Sequence, residues 1–287
     1  ILLGLVLCAY NLVTGAVALR QIAVHPGATA APERLAESAR RAGIGSFIAL
    51  SAAAFALVYC AFTNNFSVSY ILHHSNRALP WPYKFAALWS GQEGSLLLWA
   101  WLLSAYGFVL RVRHKVDVKL TAYASTILAG IQIFFTLLLV FAAPPFAMVQ
   151  GAVPADGFGL NPLLQYPEMV MHPPLLYLGY VGFSVPFAFA LSALFWKDWD
   201  GWMRRAVPWA LFGFAVLGLA MMMGGYWAYE MLVWGGFWEW DPVENGPFIP
   251  WISLIAFLHV AQVHRARGGV NRPTLFFALL PFCAAMY

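Results

Sequence analysis

Two histidines and a dense group of tryptophans carry the side chains in this sequence that could do chemistry. His172 stands in Met171-His-Pro-Pro-Leu-Leu-Tyr177, and His259 in Phe257-Leu-His-Val-Ala261. A neutral imidazole is a ready metal ligand. His259 lies inside an apolar run, where an ionisable side chain is rare and usually functional. The third feature is the stretch from Gly225 to Gly246, with Trp227, Trp234, Trp238 and Trp240, and Trp251 just beyond. An interfacial aromatic belt accounts for tryptophan and tyrosine near the end of a membrane span. It does not account for Trp-Gly-Gly-Phe-Trp-Glu-Trp-Asp-Pro in one turn-rich segment. Trp238 and Trp240 are two residues apart, so an extended backbone would set both on one face. Such a face is a flat apolar platform edged with indole N–H donors, suited to a large planar ligand. Glu230, Glu239, Asp241 and Glu244 resemble a metal cluster only superficially, and Asp241-Pro242 reads as a turn with side chain to backbone bonds.

The elements that position these residues follow from composition. Of 287 residues, 62% are hydrophobic and only 10% are charged, too few charges to cover a soluble globule of this size. The chain reads as an all-α polytopic membrane bundle of about eight spans with an outer tryptophan-rich loop. The expected spans are 1–19, 44–63, 88–110, 121–142, 173–196, 207–223 and 248–263, with a truncated eighth from about 274. About 20 apolar residues cross a bilayer, and the runs lack the two-residue alternation of a barrel. Residues 1–287 form a single bundle, expected to be part of a longer polypeptide, with 225–250 as the platform segment.

Fourteen of the sixteen Lys and Arg residues fall in the odd-numbered loops, and only Arg77 and Lys84 in the even ones. Basic loops stay cytoplasmic, so the even loops, which hold His172 and the tryptophan segment, are expected outside. Cys8, Cys60 and Cys283 lie far apart with no CxxC or CxxCH. That excludes zinc-ribbon, thioredoxin-type and c-type cytochrome readings. No basic run interleaved with aromatics exists, which argues against nucleic acid as a partner.

The segment Trp234-Gly-Gly-Phe-Trp-Glu-Trp-Asp-Pro-Val-Glu-Asn245 resembles the tryptophan-rich WWD signature of haem-handling proteins of cytochrome c maturation. Ser67-Val-Ser-Tyr-Ile-Leu-His-His-Ser-Asn76, Leu88-Trp-Ser-Gly-Gln-Glu-Gly-Ser-Leu-Leu-Leu-Trp99, Asn161-Pro-Leu-Leu-Gln165 and the segment after Met171 are similar to the CcmF-type haem lyases. The resemblance runs from about Ser67 to Val263. It implies a lyase that receives haem on the outer face and positions it for thioether attachment to the CxxCH of apocytochrome c. It also implies a permanent intramembrane haem b.

Residue by residue, the resemblance makes Trp227, Trp234, Trp238, Trp240 and Asp241 haem contacts. It makes His172 the first outer axial ligand and His259 the first intramembrane one. The second ligand of each pair is expected beyond Tyr287, and no catalytic residue is assigned. The implied partners are haem, a haem carrier protein, apocytochrome c with its thiol-reducing chaperones, and the bilayer. The implied location is the bacterial inner membrane with the functional face toward the periplasm. Lys84 matches the family pattern and is expected to meet a haem propionate, with Arg77 as the other outer cation. His74 falls in a matched motif on the same side. A haem exporter or carrier without ligation activity would share the platform, but the Leu88–Trp99 and Asn161–Gln165 motifs favour the lyase. A solute transporter would want an inverted repeat or charged midplane residues, and the sequence shows neither.

Overall fold

The computed structural model describes residues 1–24, 30–113, 118–197, 199–232 and 235–267, with 276 and 280. Ten α-helices run in chain order: α1 Leu2–Val24, α2 Ala30–Phe62, α3 Ser69–His74, α4 Trp81–Ala86, α5 Gln92–Arg113, α6 Val118–Leu137, α7 Pro167–Gly182, α8 Ser184–Trp196, α9 Trp199–Met231 and α10 Pro242–Arg267. Among the described residues, seven stretches are long and apolar enough to cross a membrane: α1, α2, α5, α6 with the turn after it, α7 with α8, α9, and α10. The protein is a polytopic helical membrane protein. Apart from residues 276 and 280, the eighth expected span lies outside the described residues, as do Trp234 and Cys283.

Proline explains the one broken span. Pro186 has no N–H to offer the carbonyl of Gly182, and its ring crowds that turn. The helix therefore halts at Phe183, whose own N–H bonds back only three residues, to the carbonyl of Tyr180 at 3.2 Å, before α8 resumes. Pro167 opens α7 at its first turn, where a missing N–H costs nothing. The span thus starts at Pro167, six residues before the expected Pro173, and His172 sits inside the helix.

α1 packs on α2 and α6, α2 on α5, and α5 on α6. α8 links this group to α9, and α7 lies along α9. α7 and α9 approach closely at Gly179, where an added Cβ would lie 2.7 Å from Leu217 N. Small residues at such crossings let backbones meet in a membrane bundle. α10 packs chiefly on α9 at the edge of the described bundle.

A cap of irregular chain covers the ends of α2 and α5. Ser69 N donates to Ala147 O at 2.8 Å and Val149 N to Ser67 O at 2.9 Å, stitching the stretch around α3 to the 143–166 segment. Further along, Phe158 N donates to Leu72 O at 2.8 Å and Gly159 N to Ser75 O at 3.1 Å. Gly157 permits this approach, since a Cβ there would lie 2.1 Å from Ser75 O.

Candidate haem site

α9 does not end where its apolar run ends. It continues to Met231, so Trp227 is helical, and the tryptophan loop between α9 and α10 is only ten residues long rather than the expected 24. The glycine pair Gly224–Gly225, read from sequence as the start of that loop, is the helix surface on which the site assembles. A Cβ on Gly224 would lie 2.5 Å from His172 Cε1, and a Cβ on Gly225 would lie 2.7 Å from Phe237 Cδ1. One turn of α9 therefore seats the His172 ring and, beside it, the phenylalanine inside the tryptophan segment. Phe237 also packs on Tyr229 with ring centroids 5.7 Å apart, which fastens the loop to α9.

His172 is held from the neighbouring helix. Its Nδ1 lies 2.8 Å from the carbonyl of Ala220. A carbonyl can only accept, so Nδ1 carries the proton and the neutral ring keeps its lone pair on Nε2. A tautomer fixed in this way is how a protein readies an imidazole for a metal. Pro173, the next residue, leaves the carbonyl of Met169 without its in-helix donor, and the indole Nε1–H of Trp89 takes it at 3.3 Å. The proline that looked like a helix start is a docking point for the Leu88–Trp99 motif.

Asp241 and Glu244 of the tryptophan segment form a helix cap. Asp241 Oδ1 accepts from Glu244 N at 2.6 Å. Glu244 Oε2 accepts in return from Glu239 N at 2.7 Å and Trp240 N at 2.9 Å. Asn245 Nδ2 donates to Trp240 O at 2.9 Å. This is a variant of the capping box: Asp241 caps the helix, Glu244 reaches back past it to the two amides before it, and Pro242 takes the first helical position. It holds Trp240 at φ 63°, a left-handed conformation that a bulky side chain rarely adopts. The extended backbone expected across Trp238–Trp240 is therefore absent. The two indoles meet edge to face, 6.1 Å apart at 76°, with Trp240 66% exposed. Asp241 positions the platform through the backbone.

Phe248 lies edge-on to both indoles, at 5.5 and 5.8 Å, and continues to Trp251 at 6.4 Å. Trp251 stacks on Phe214 at 4.8 Å and donates Nε1–H to the Phe214 carbonyl at 2.9 Å. An aromatic ladder thus descends from the exposed Trp240 into the α9–α10 contact. Trp238 Nε1 is buried and has no acceptor among the described residues. Trp227 Nε1, by contrast, donates to Leu163 O at 3.2 Å, and Tyr166 donates to Glu230. The Asn161–Gln165 motif is thereby tied to the C-terminal end of α9.

Lys84 stands elsewhere. It is 9% exposed, and its ammonium donates to Asn64 Oδ1 at 2.7 Å. α4, which carries it, packs on α2 and α7. Arg77 donates Nε–H to Ala155 O at 3.0 Å and lies over the Phe66 ring. Both outer cations are engaged in the cap. His74 stacks on Tyr70 at 4.4 Å, bonds to the Tyr70 carbonyl at 2.9 Å and packs against Gly91. His259, mid-way along α10, is exposed, and its Nδ1 bonds to its own helix at Ile255 O, 2.8 Å away. By the same logic its Nε2 lone pair faces outward from the described bundle. Among the described residues no three His, Cys, Asp or Glu side chains converge on a metal-sized point.

A family model described as "Cytochrome C assembly protein" matches residues 89–286, a span that takes in His172, the tryptophan segment and His259. The chain belongs to the cytochrome c assembly protein family. It is 42% identical over 240 residues to the cytochrome c-type biogenesis protein CcmF of Pseudomonas fluorescens, covering 83% of this chain and 36% of that protein. It is 37% identical over 265 residues to CcmF of Escherichia coli, covering 91% and 41%. A solved structure named Cytochrome c Heme Lyase CcmF superposes with a TM-score of 0.79 at 32% identity, covering 99% of this chain and 46% of that one. The chain thus spans about two fifths of the length of the curated relatives it matches.

Within this assembly family, the capping box and the glycine pair were missed by reading the sequence. The spacing Asp241-x-x-Glu244 before a helical run was the available signal for the first. The carbonyl of Ala220 carries no sequence signal.

Proposed function

We propose that this chain is the haem-receiving part of a cytochrome c haem lyase. The observation that carries the proposal is the turn of α9 at Gly224–Gly225, which seats the His172 ring and the tryptophan segment side by side. Haem, as substrate, lies against the edge-to-face indoles of Trp238 and Trp240, with Trp234 in the same segment, and His172 Nε2 is its axial ligand. The orphan N–H of Trp238 is a donor that costs about 1–3 kcal/mol while unpaired, which gives a polar edge of haem a partner. Trp227 acts by tying the 161–165 segment to α9, Asp241 acts by capping α10 beneath the loop, and Lys84 is set aside as a haem contact because Asn64 takes its ammonium.

A resident haem b is the implied cofactor, and the donor set fits it on one side. His259 offers a deprotonated Nε2 on an uncovered helix face within the span, as a histidine ligand to haem iron requires. Bound there, the haem would supply redox chemistry. The second ligand comes from outside this chain. The reaction joins the two vinyls of the substrate haem to the CxxCH cysteines of apocytochrome c. The protein's share is positioning, with the reactive centre belonging to the haem. A haem carrier protein delivers the substrate, and thiol-reducing chaperones present the apocytochrome. The site faces the periplasmic side of a bacterial inner membrane.

The test is an absorption spectrum of the purified full-length protein and its His259→Ala variant. The expected result is a b-type Soret band that the variant loses while still accumulating in the membrane. An unchanged band in the variant removes His259 as a ligand.

A further inference from the structure

α9 and α10 touch over only part of their length. Where Trp251 reaches the Phe214 carbonyl, the helices are closed, and Gly218 makes the room, with a Cβ there 3.0 Å from the indole Nε1. Toward the opposite, basic end they part around a cleft of about 710 Å³. Its walls are two facing stripes at helical spacing: Arg204, Val207 and Leu211 on α9, and Leu258, Ala261 and Arg265 on α10. Pro208 also lines it. A mid-helix proline withholds an N–H from the carbonyl four residues back and bends the helix, which suits a point where two helices diverge.

The cleft is mainly apolar along its walls, with Gln262 and His264 also lining it, and cationic at its rim, and no acidic side chain is among its described lining. Each stripe has its arginine at the basic end, so the charge sits where a headgroup would, and the apolar walls run toward the bilayer midplane. Leu258, Ala261 and Arg265 define one face of α10. His259 does not line the cleft, although Gln262, which does, is only about 60° around the helix from it. A basic pocket between spanning helices binds anionic lipid headgroups.

We propose that this cleft is a binding site for an anionic phospholipid. One acyl chain lies between α9 and α10, and the phosphate meets Arg204 and Arg265 through charge-assisted hydrogen bonds. Seated there, the lipid would fill the gap that the helices leave and set the angle at which α10 stands off α9. This does not rest on the haem reading above.

The experiment uses the full-length protein purified in mild detergent, with retained lipid quantified per protein. The expected result is about one phosphatidylglycerol retained, and a thermal midpoint raised by phosphatidylglycerol vesicles but not by phosphatidylcholine vesicles or inorganic phosphate. The double variant Arg204→Gln, Arg265→Gln should lose at least several-fold of the retained lipid. Arg40→Gln with Arg41→Gln, which removes the same charge elsewhere, should retain it. Ala261→Phe, which keeps both arginines and fills the cleft, should also lose it. Equal retention in the two arginine pairs would mean bulk attraction only. Retention by Ala261→Phe would place the lipid outside the cleft, and its absence from the full-length protein would mean that another part of the chain fills the gap. Any of these three results overturns the proposal.

Discussion

His172 and His259 are both imidazoles on apolar helices, each with Nδ1 spent on a backbone carbonyl, yet their surroundings differ. His172 takes its carbonyl from a neighbouring helix, and its ring rests on a glycine of that helix. His259 takes its carbonyl from its own helix and stands exposed. The first ring is positioned by tertiary structure, so its geometry is only as good as the α7–α9 contact. The second is positioned by one helical turn, and the rest of its site must come from elsewhere. The same fixed tautomer is reached by two routes, and perturbations of the bundle should tell them apart.

The largest separation is expected from Gly224→Ala. The new methyl carbon would lie 2.5 Å from His172 Cε1 and 2.9 Å from its Nδ1, well inside van der Waals contact. The ring must move, and the 2.8 Å bond to Ala220 must stretch or break. Overpacking of this kind typically costs about 1–3 kcal/mol. If roughly 1.4 kcal/mol of that falls on ligand geometry, haem affinity at the outer site drops about tenfold. A haem held at His259, as proposed above, should keep its spectrum. Titration of the variant with haem under both readouts decides the matter, and an unshifted outer affinity would break the assignment of His172.

A smaller effect is expected at the cap. Glu244→Ala removes the acceptor for two backbone N–H groups, a loss of about 1 kcal/mol for a helix cap, felt where Trp240 is held at positive φ. Outer haem binding should weaken by a few-fold. Glu244→Gln keeps an acceptor oxygen and should restore most of it. Equal loss in both variants would mean that the carboxylate charge, rather than the cap, matters.

Much of this comparison was legible beforehand. Runs of about 20 apolar residues mark the spans because lipid demands them, and both histidines stood out against apolar neighbours. What did not show was tertiary. The Gly224–Gly225 pair looked like a loop because glycine is a poor helix former in isolation, but here it clears space for two rings. Lys84 looked like a free outer cation because its partner, Asn64, is twenty residues away at a positive-φ turn. The turn with side chain to backbone bonds read at Asp241-Pro242 is there, with Asp241 accepting from the Glu244 amide of α10, but the return bonds of Glu244 to the loop amides of Glu239 and Trp240 could not be read from the sequence.

The smallest effect tests whether the cap supports His172 while leaving His259 indifferent. Asp156 Oδ1 accepts from Arg77 N at 2.9 Å and from Gly157 N at 2.8 Å. The hydrogen bond from the Arg77 amide, with that from Gly157 and the nearby Arg77 and Lys84 charges, holds this exposed carboxyl below its ordinary value. A carboxyl lowered on folding contributes stability above its unfolded pKa, about 3.9, and that contribution is lost as pH falls through the lower, folded value. The reporters are the amides of Phe158 and Gly159, which donate to Leu72 and Ser75 across the cap. At neutral pH, Asp156→Ala should reduce their hydrogen-exchange protection slightly. Below about pH 4 the gap between variant and wild type should narrow, because the wild-type carboxyl is then being protonated too. Asp156→Asn, which keeps an acceptor oxygen without the charge, should fall between them and show no pH dependence of its own. The 161–166 segment ties this cap to α9 through Trp227 and Glu230. A weakened cap should therefore register faintly in outer haem binding and leave the His259 haem spectrum unmoved. A shift in that spectrum with Asp156→Ala would show that the two histidine sites are not independently supported.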